Sequence, residues 1–414
     1  MLCYPIPDRR WVIPGDRGCL GTGIVGSRWG VCQVRPIAGV NMLGQRLRTV
    51  RVASGWSLRD LQARIDNRVT AQAISQYERG ESIPSDDVLQ VLSEALGVSV
   101  EYLTGTSEIV LEGVEFRSKR EIGRREQARI QARVLRRLER YLAVEEALRL
   151  PNMSWDSPRA APFPMKGGLP GAEHAAGHLR AHWGLGITPI ANLTALLEDR
   201  GIKVVTMRLD AVDGMTARAR QRHRGNQTSY VIVVNVEKPG DRQRFTMAHE
   251  LGHMVLDAPP GTAEKAAHQF AAAFLMPRDA LLREVGWRRR SIGWSELFAL
   301  QRMFRVSAQA LTRRCEAVGV FRATLARRLY QEFARRHWST HPFEEPVEIS
   351  RERPERFERL CFRGVAEGAL GTSEAAELMG MTVEELTRRM ESPVDHVAER
   401  PHPPEVPSDL VDPE

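Results

Sequence analysis

Three features are scarce in this sequence, and each scarcity excludes a class of protein. Long apolar runs are missing: no stretch approaches the ~18 consecutive apolar residues of a membrane helix, so no membrane partner is expected. A secretory leader is not expected: the first residues, with Arg9, Arg10, Asp16 and Arg17 followed by Gly-rich sequence and no compact apolar core, do not read as a signal peptide. Cysteine is thin, with five residues at 3, 19, 32, 315 and 361, an odd and scattered set without zinc-ribbon spacing. Such a set suits a reducing compartment, and the expected location is the cytoplasm. Cys315 and Cys361 have no adjacent histidine motif and read as small buried hydrophobes. No internal repeat recurs.

What is present suffices for two or three domains. Apolar residues make up 42% and charged residues 27% of the 414, enough to bury cores. The net charge of +7 is unevenly placed. Residues 42–105 carry seven Arg against eight Asp and Glu, whereas 117–149 carry eleven Lys and Arg against five Glu, and 283–337 thirteen Arg against four Glu. The basic surplus suits phosphates or an acidic partner, or simply forms solvated helix faces.

The pattern divides the chain into six parts. Residues 1–41 read as a disordered N-terminal extension and 42–105 as a compact helical domain. Residues 106–172 read as a long helix, 118–150, and a linker from Pro151 onward. Residues 173–337 form a mixed domain, with strands at Ile202–Met207 and Tyr230–Val236 and helices after about 242. Residues 338–394 are a linker and a small helical unit over 355–390, read as a degenerate helix-turn-helix or as a packing or dimerisation unit. Residues 395–414 are Pro-rich, acidic and expected to be disordered.

Within 42–105, Ser57-Leu-Arg-Asp60 resembles a capping box that opens a helix carrying Leu58 and Leu61 inward. A turn passes through Asp66 and Asn67. Thr70 then caps a short helix, Ala71 to Arg79, stopped by Gly80, with Ile74 and Tyr77 facing the core. That leaves Thr70, Ala71, Gln72, Ala73, Ser75 and Gln76 on the outer, N-terminal side, the part of a recognition helix that enters the major groove. Gln72 suits bidentate contact with adenine, and Gln76 the next bases. Thr70 and Arg59 suit phosphates, which fix register. Thr70-Ala-Gln-Ala-Ile-Ser-Gln-Tyr-Glu-Arg-Gly80, with Pro84 and Leu92 through Leu103, resembles the XRE (phage-repressor-like) helix-turn-helix family. Two departures stand out: Gln62 replaces a small residue, and the turn Arg64–Val69 is about two residues long for the family. A helical bundle that uses this turn for protein contacts is the rival reading.

In His249-Glu250-Leu251-Gly252-His253 the two histidines are one helical turn apart on one face, so both can ligate one zinc ion (Zn2+). Glu250 lies beside the metal, placed to take a proton from water. The embedding run Arg244 to Leu256 is apolar, and buried imidazoles need partners that a metal satisfies. Gly252 allows another backbone to approach. A third ligand is needed; Glu264 is the nearest downstream candidate, and His268, on the same face of that helix, is the alternative.

The run Glu264-Lys-Ala-Ala-His-Gln-Phe-Ala-Ala-Ala-Phe-Leu-Met-Pro277 resembles the ImmA/IrrE metallopeptidase family. So do Leu179 to Gly186, Pro189, Asn192, Leu196-Leu-Glu198, Gly201, Trp294, Leu297, Val306-Ser307 and Ala310-Leu311. The resemblance spans roughly 118–337 and implies His249, His253 and Glu264 as zinc ligands, with Glu250 as general base. Asp257 stands where the family commonly has His, and His268 where it often has Asn or Asp. No residue is assigned to the oxyanion; His223 is the nearest upstream histidine, and a loop residue is preferred. Asn235 reads as a turn residue rather than a cleft residue.

The expected fold class is α+β and mostly helical: an all-α helix-turn-helix domain, a zincin-like α+β metallopeptidase domain and a small helical C-terminal unit. The expected protein is a bacterial transcriptional regulator that binds a double-stranded DNA operator, as a homodimer. Its zinc endopeptidase domain would cleave a repressor protein or the chain itself. The rival is a regulator whose zinc domain senses metal or ligand, or serves as a scaffold.

Overall fold

The computed structural model describes residues 38–98, 100–105, 109–117, 122–151, 153–165, 168–210, 212–221, 227–338 and 345–391. The expectations for most of 1–41, for 395–414 and for His223 lie outside the described residues.

Five helices come first: α1 (Ala38–Ala53), α2 (Leu58–Arg64), α3 (Ala71–Arg79), α4 (Asp86–Leu96) and α5 (Val100–Thr104). Ser57 and Asp60 form the capping box that opens α2, and Thr70 accepts from the Ala73 amide at 3.1 Å to open α3. Gly80 ends α3 in the left-handed region. Leu47, Val50, Leu61, Ile65, Ile74, Leu92 and Leu96 close a core of their own.

The chain then does something its sequence did not advertise. Residues within the expected helix-and-linker part form a strand, β1 (Ile109–Arg117), before the long helix α6 (Arg124–Ala147). After β2 (Phe163–Pro164) come α7 (Pro170–His182), α8 (Leu193–Asp199), β3 (Ile202–Met207), β4 (Gly214–Gln221) and β5 (Gln227–Asn235). Next follow α9 (Gly240–Val255), β6 (Leu256–Asp257), α10 (Pro260–Leu275), α11 (Arg278–Val285), α12 (Trp294–Phe304), α13 (Ala308–Ala317) and α14 (Ala323–Arg335). The last elements are α15 (Arg356–Ala366), α16 (Thr372–Met379) and α17 (Val383–Glu391).

One sheet has the order β1-β4-β5-β3, with β3 and β5 parallel and the other pairs antiparallel. Both faces are covered. Val205, Met207, Met215, Ala217, Val231 and Val233 pack on Ile130, Val134, Leu138 and Leu142 of α6. Ile202, Val204, Ile232 and Val234 point to the other face, onto Met247, Ala248 and Leu251 of α9 and the helices behind it. Burial on both faces explains why β3 and β5 are nearly continuous apolar runs.

The long helix α6 joins three cores. The Tyr102 hydroxyl donates to Glu139, and Arg136 donates to the Gly97 carbonyl at 3.0 Å, so the five-helix unit docks on its outer side. Its end, Tyr141, Val144 and Leu148, packs with Leu360, Cys361, Leu370 and Leu386 of α15–α17. The small C-terminal unit therefore packs on α6, and α6 packs within the chain. Lys203 of β3 meets Glu145 of α6 at 2.8 Å in the interior.

The segment expected to be a linker, 338–354, is partly built in. Glu352 pairs with Arg244 of α9 in the core and accepts from the Thr194 amide at 2.8 Å, and Arg244 also donates to the Ile190 carbonyl at 2.7 Å. A charge buried this deeply is tolerated only with such partners.

Candidate metal centre and nucleic-acid interface

Arg244 is held by Glu352 at the near end of α9, and the helix runs from there to the histidines with almost every residue buried. His249 and Glu250 are 2% and 1% exposed; His253 is half-buried. Across from them α10 packs closely at Gly252: a side-chain carbon there would lie 3.1 Å from the Ala267 Cα and from Phe270. This approach carries Glu264, exposed one turn earlier on α10, to the histidine pair.

Three ligand atoms converge. His249 Nε2 and His253 Nε2 are 3.1 Å apart, Glu264 Oε2 is 3.2 Å from His249 Nε2, and Glu264 Oε1 is 3.3 Å from His253 Nε2. Tetrahedral zinc with bonds of about 2.0–2.1 Å holds its ligands roughly 3.3 Å apart, so the spacing fits one ion. The donor set, two imidazoles and a carboxylate, suits zinc as well. Burial, with the charge of Arg117 added, pulls His249 down to about 2, so its ring is neutral, the form that ligates metal. His268 does not join the cluster; its ring lies against Phe245 at 4.8 Å and 6.5 Å from the His249 ring.

Glu250 follows His249 on α9 and is buried toward β4. Thr216 of β4 hydrogen-bonds its carboxylate, while Oε1 is buried without a hydrogen-bond partner. Burial pushes its carboxyl up to about 8, against the pull of Arg117. His249 Nδ1 is also buried and unpartnered. Unpaired polar atoms at this depth are costly and tend to mark a site that uses them.

Two residues that sequence reasoning missed come from β1. Arg117 donates to Thr246 Oγ1 at 3.0 Å and lies over the Phe245 ring, and Glu115 Oε2 is 3.7 Å from His253 Nδ1. Neither sits in a recognisable motif. Asn235, expected in a turn, is instead the buried last residue of β5, and its side chain accepts from Glu237 N at 3.1 Å and donates to the Val212 carbonyl at 3.1 Å. Asp257 lies on the short strand β6, paired with Pro164. Cys315 and Cys361 are free and buried.

On the five-helix unit, Arg59, Thr70 and Gln72 are exposed, Ala71, Ala73, Ser75 and Gln76 half-buried, and all but Arg59 lie on or at the start of α3. Thr70 Oγ1 is occupied by its cap, and Ser75 Oγ accepts from Arg79. Gln62, the departure from the XRE pattern, has a structural job: Oε1 accepts from the Ala71 amide at 2.9 Å and Nε2 donates to Asn67 at 3.0 Å. It thus ties the turn, in which Asp66 and Asn67 both have positive φ, to the start of α3.

Residues 47–103 match the helix-turn-helix family model, and 197–316 match that of the peptidase family described as the IrrE N-terminal-like domain. The chain joins a helix-turn-helix to an IrrE-like domain, in that order. The three converging residues and Glu250 lie inside the second match; β1 lies outside both. Multiprotein-bridging factor 1 of Schizosaccharomyces pombe is 34% identical over 58 residues, which are 14% of this chain and 38% of that one. The chain thus carries a helix-turn-helix domain and a peptidase-family domain, and no described helix is long and apolar enough to cross a membrane.

Proposed function

We propose that the IrrE-like domain is a zinc endopeptidase that acts on a repressor protein or on its own chain, and that the helix-turn-helix directs it to an operator. The observation that carries this reading is the convergence of His249, His253 and Glu264 within 3.1–3.3 Å, with the buried Glu250 next to His249 on the same helix. A zinc ion there supplies a Lewis acid for the scissile carbonyl and for water. His249, His253 and Glu264 hold it. Glu250 takes the proton that water loses on attacking the carbonyl carbon and returns it to the amide nitrogen as the C–N bond breaks. Arg117 keeps a positive charge beside Glu250, and the apolar wall of α9 and α10 limits competing water.

On the DNA side, Gln72 and Gln76 read bases from the exposed start of α3, with Ala71, Ala73 and Ser75 along the same surface. Thr70 and Arg59 contact phosphates. A homodimer would present two such helices to half-sites one turn of DNA apart. The chain is placed in the bacterial cytoplasm in this account.

The test is Glu250→Gln. Metal retained with cleavage of the repressor, or of the chain, abolished supports a working peptidase. Regulation that persists unchanged in the variant removes the peptidase role and leaves a metal-dependent sensor or scaffold.

A further inference from the structure

The strand β1, which follows the five-helix unit, brings Glu115 to within 3.7 Å of His253, and its shape there is specific. From Ile109 to Glu112 it pairs with β4 in regular antiparallel register; the register then shifts between Glu112 and Glu115 before pairing resumes to Arg117. Two residues, Gly113 and Val114, oppose Ala217 alone, and Gly113 has φ +56°. This is a β-bulge, and because side chains alternate with period two, one extra residue exchanges the faces.

The exchange is visible in the packing. Ile109 and Leu111 point to the α6 core before the bulge; Val114 and Phe116 point to that same core after it. Without the bulge the odd-numbered phase would continue, and Glu115 and Arg117 would be driven into the α6 core. With it they turn to the α9 face, where Glu115 stands behind His253 and Arg117 meets Thr246. The bulge also spares the core two charges, which alone accounts for its presence. It does not account for where Glu115 ends up: His253 presents Nε2 to the ligand cluster and Nδ1 to this carboxylate.

We propose that Glu115 is a positioning residue for the metal centre. Its carboxylate, 3.7 Å from Nδ1 and so beyond direct hydrogen-bond reach, favours the proton of His253 on Nδ1 through its charge and a bridging water, so that the Nε2 lone pair is available for metal. Carboxylates in this relation to a ligating imidazole fix its tautomer and orientation, and losing one weakens metal binding about 10–100-fold. The proposal rests on the metal-centre reading above. It makes the strand between the two matched domains a constituent of the site, so that a metal domain cut out after residue 117 is incomplete.

The experiment is a zinc-affinity titration against a competing chelator at fixed pH, on the full chain. Wild type is compared with Glu115→Gln, with Glu112→Gln and with His253→Ala; thermal midpoints are measured without metal. Glu112 serves as control because it is on the same strand but pairs with Arg220. Zinc affinity about 10–100-fold weaker in E115Q, with E112Q like wild type and both midpoints unchanged, is the expected result. Equal affinity in E115Q and wild type overturns the role of Glu115 while leaving the metal centre standing. Equal weakening in E112Q and E115Q also overturns it, since the effect is then one of strand stability. A wild type that takes up no zinc overturns the metal reading itself.

Discussion

Gly252 of α9 lies against Ala267 of α10, and that contact sets how near Glu264 comes to the histidines. A side-chain carbon on Gly252 would meet the Ala267 Cα and the Phe270 ring at 3.1 Å, tighter than ordinary contact. Backbone on one side and an aromatic ring packed in the core on the other leave little room to give. Gly252→Val should therefore push α10 outward, costing about 1–3 kcal/mol of stability and weakening zinc binding beyond that of Gly252→Ala. Denaturant unfolding and chelator competition on both variants check the order.

The ion pair of Arg244 and Glu352 anchors α9 from a segment more than a hundred residues downstream in sequence. Both side chains are fully desolvated, so removing one partner strands the other. Glu352→Gln should cost about 3–5 kcal/mol, and replacing both by apolar residues of similar volume should cost less than either single change. Equilibrium unfolding of the two single variants and the double variant measures this directly.

Glu198 of α8 is buried with Oε1 unpartnered, and burial raises its carboxyl up to about 7 despite the Arg356 amide and charge. The sign follows. A group whose pKa is higher folded than unfolded contributes its stability below the unfolded value, and that contribution disappears as pH rises through the folded one. Wild type should lose on the order of 3 kcal/mol between about pH 4.5 and pH 8 through this group. Glu198→Gln should flatten that part of the stability profile, as urea unfolding at several pH values would show.

At the DNA surface, Gln72→Ala should cost about 1–3 kcal/mol against a selected operator and relax preference at one base. Arg59→Ala should weaken binding to all sequences and reduce the salt slope by about one. Gln62→Ala removes the tie to the Ala71 amide and should lower both affinity and the stability of the helical unit by roughly 1 kcal/mol. Fluorescence anisotropy across a salt series distinguishes the three.

Much of the site was legible because its determinants are local. The i, i+4 spacing of His249 and His253 places two rings on one face whatever surrounds them, and the run from Glu264 to Pro277 forms the second helix. The caps at Ser57, Thr70 and Gly80 were equally readable, since capping depends on neighbours three residues away. What escaped was non-local. β1 hid because the bulge at Gly113 breaks its alternation, leaving Ile109 and Leu111 in one phase and Val114 and Phe116 in the other. β4, Gly-Met-Thr-Ala-Arg-Ala-Arg-Gln, lacks a β-branched run and becomes a strand through its neighbours. Glu352 looked like a linker charge because its partner, Arg244, is brought to it only by the fold.

The most direct measurement is zinc per chain in the purified full-length protein, by elemental analysis, for wild type and His249→Ala. About one zinc is expected in wild type, with its loss in the variant. No zinc in wild type even after loading, or undiminished zinc in His249→Ala, would contradict the metal-centre reading.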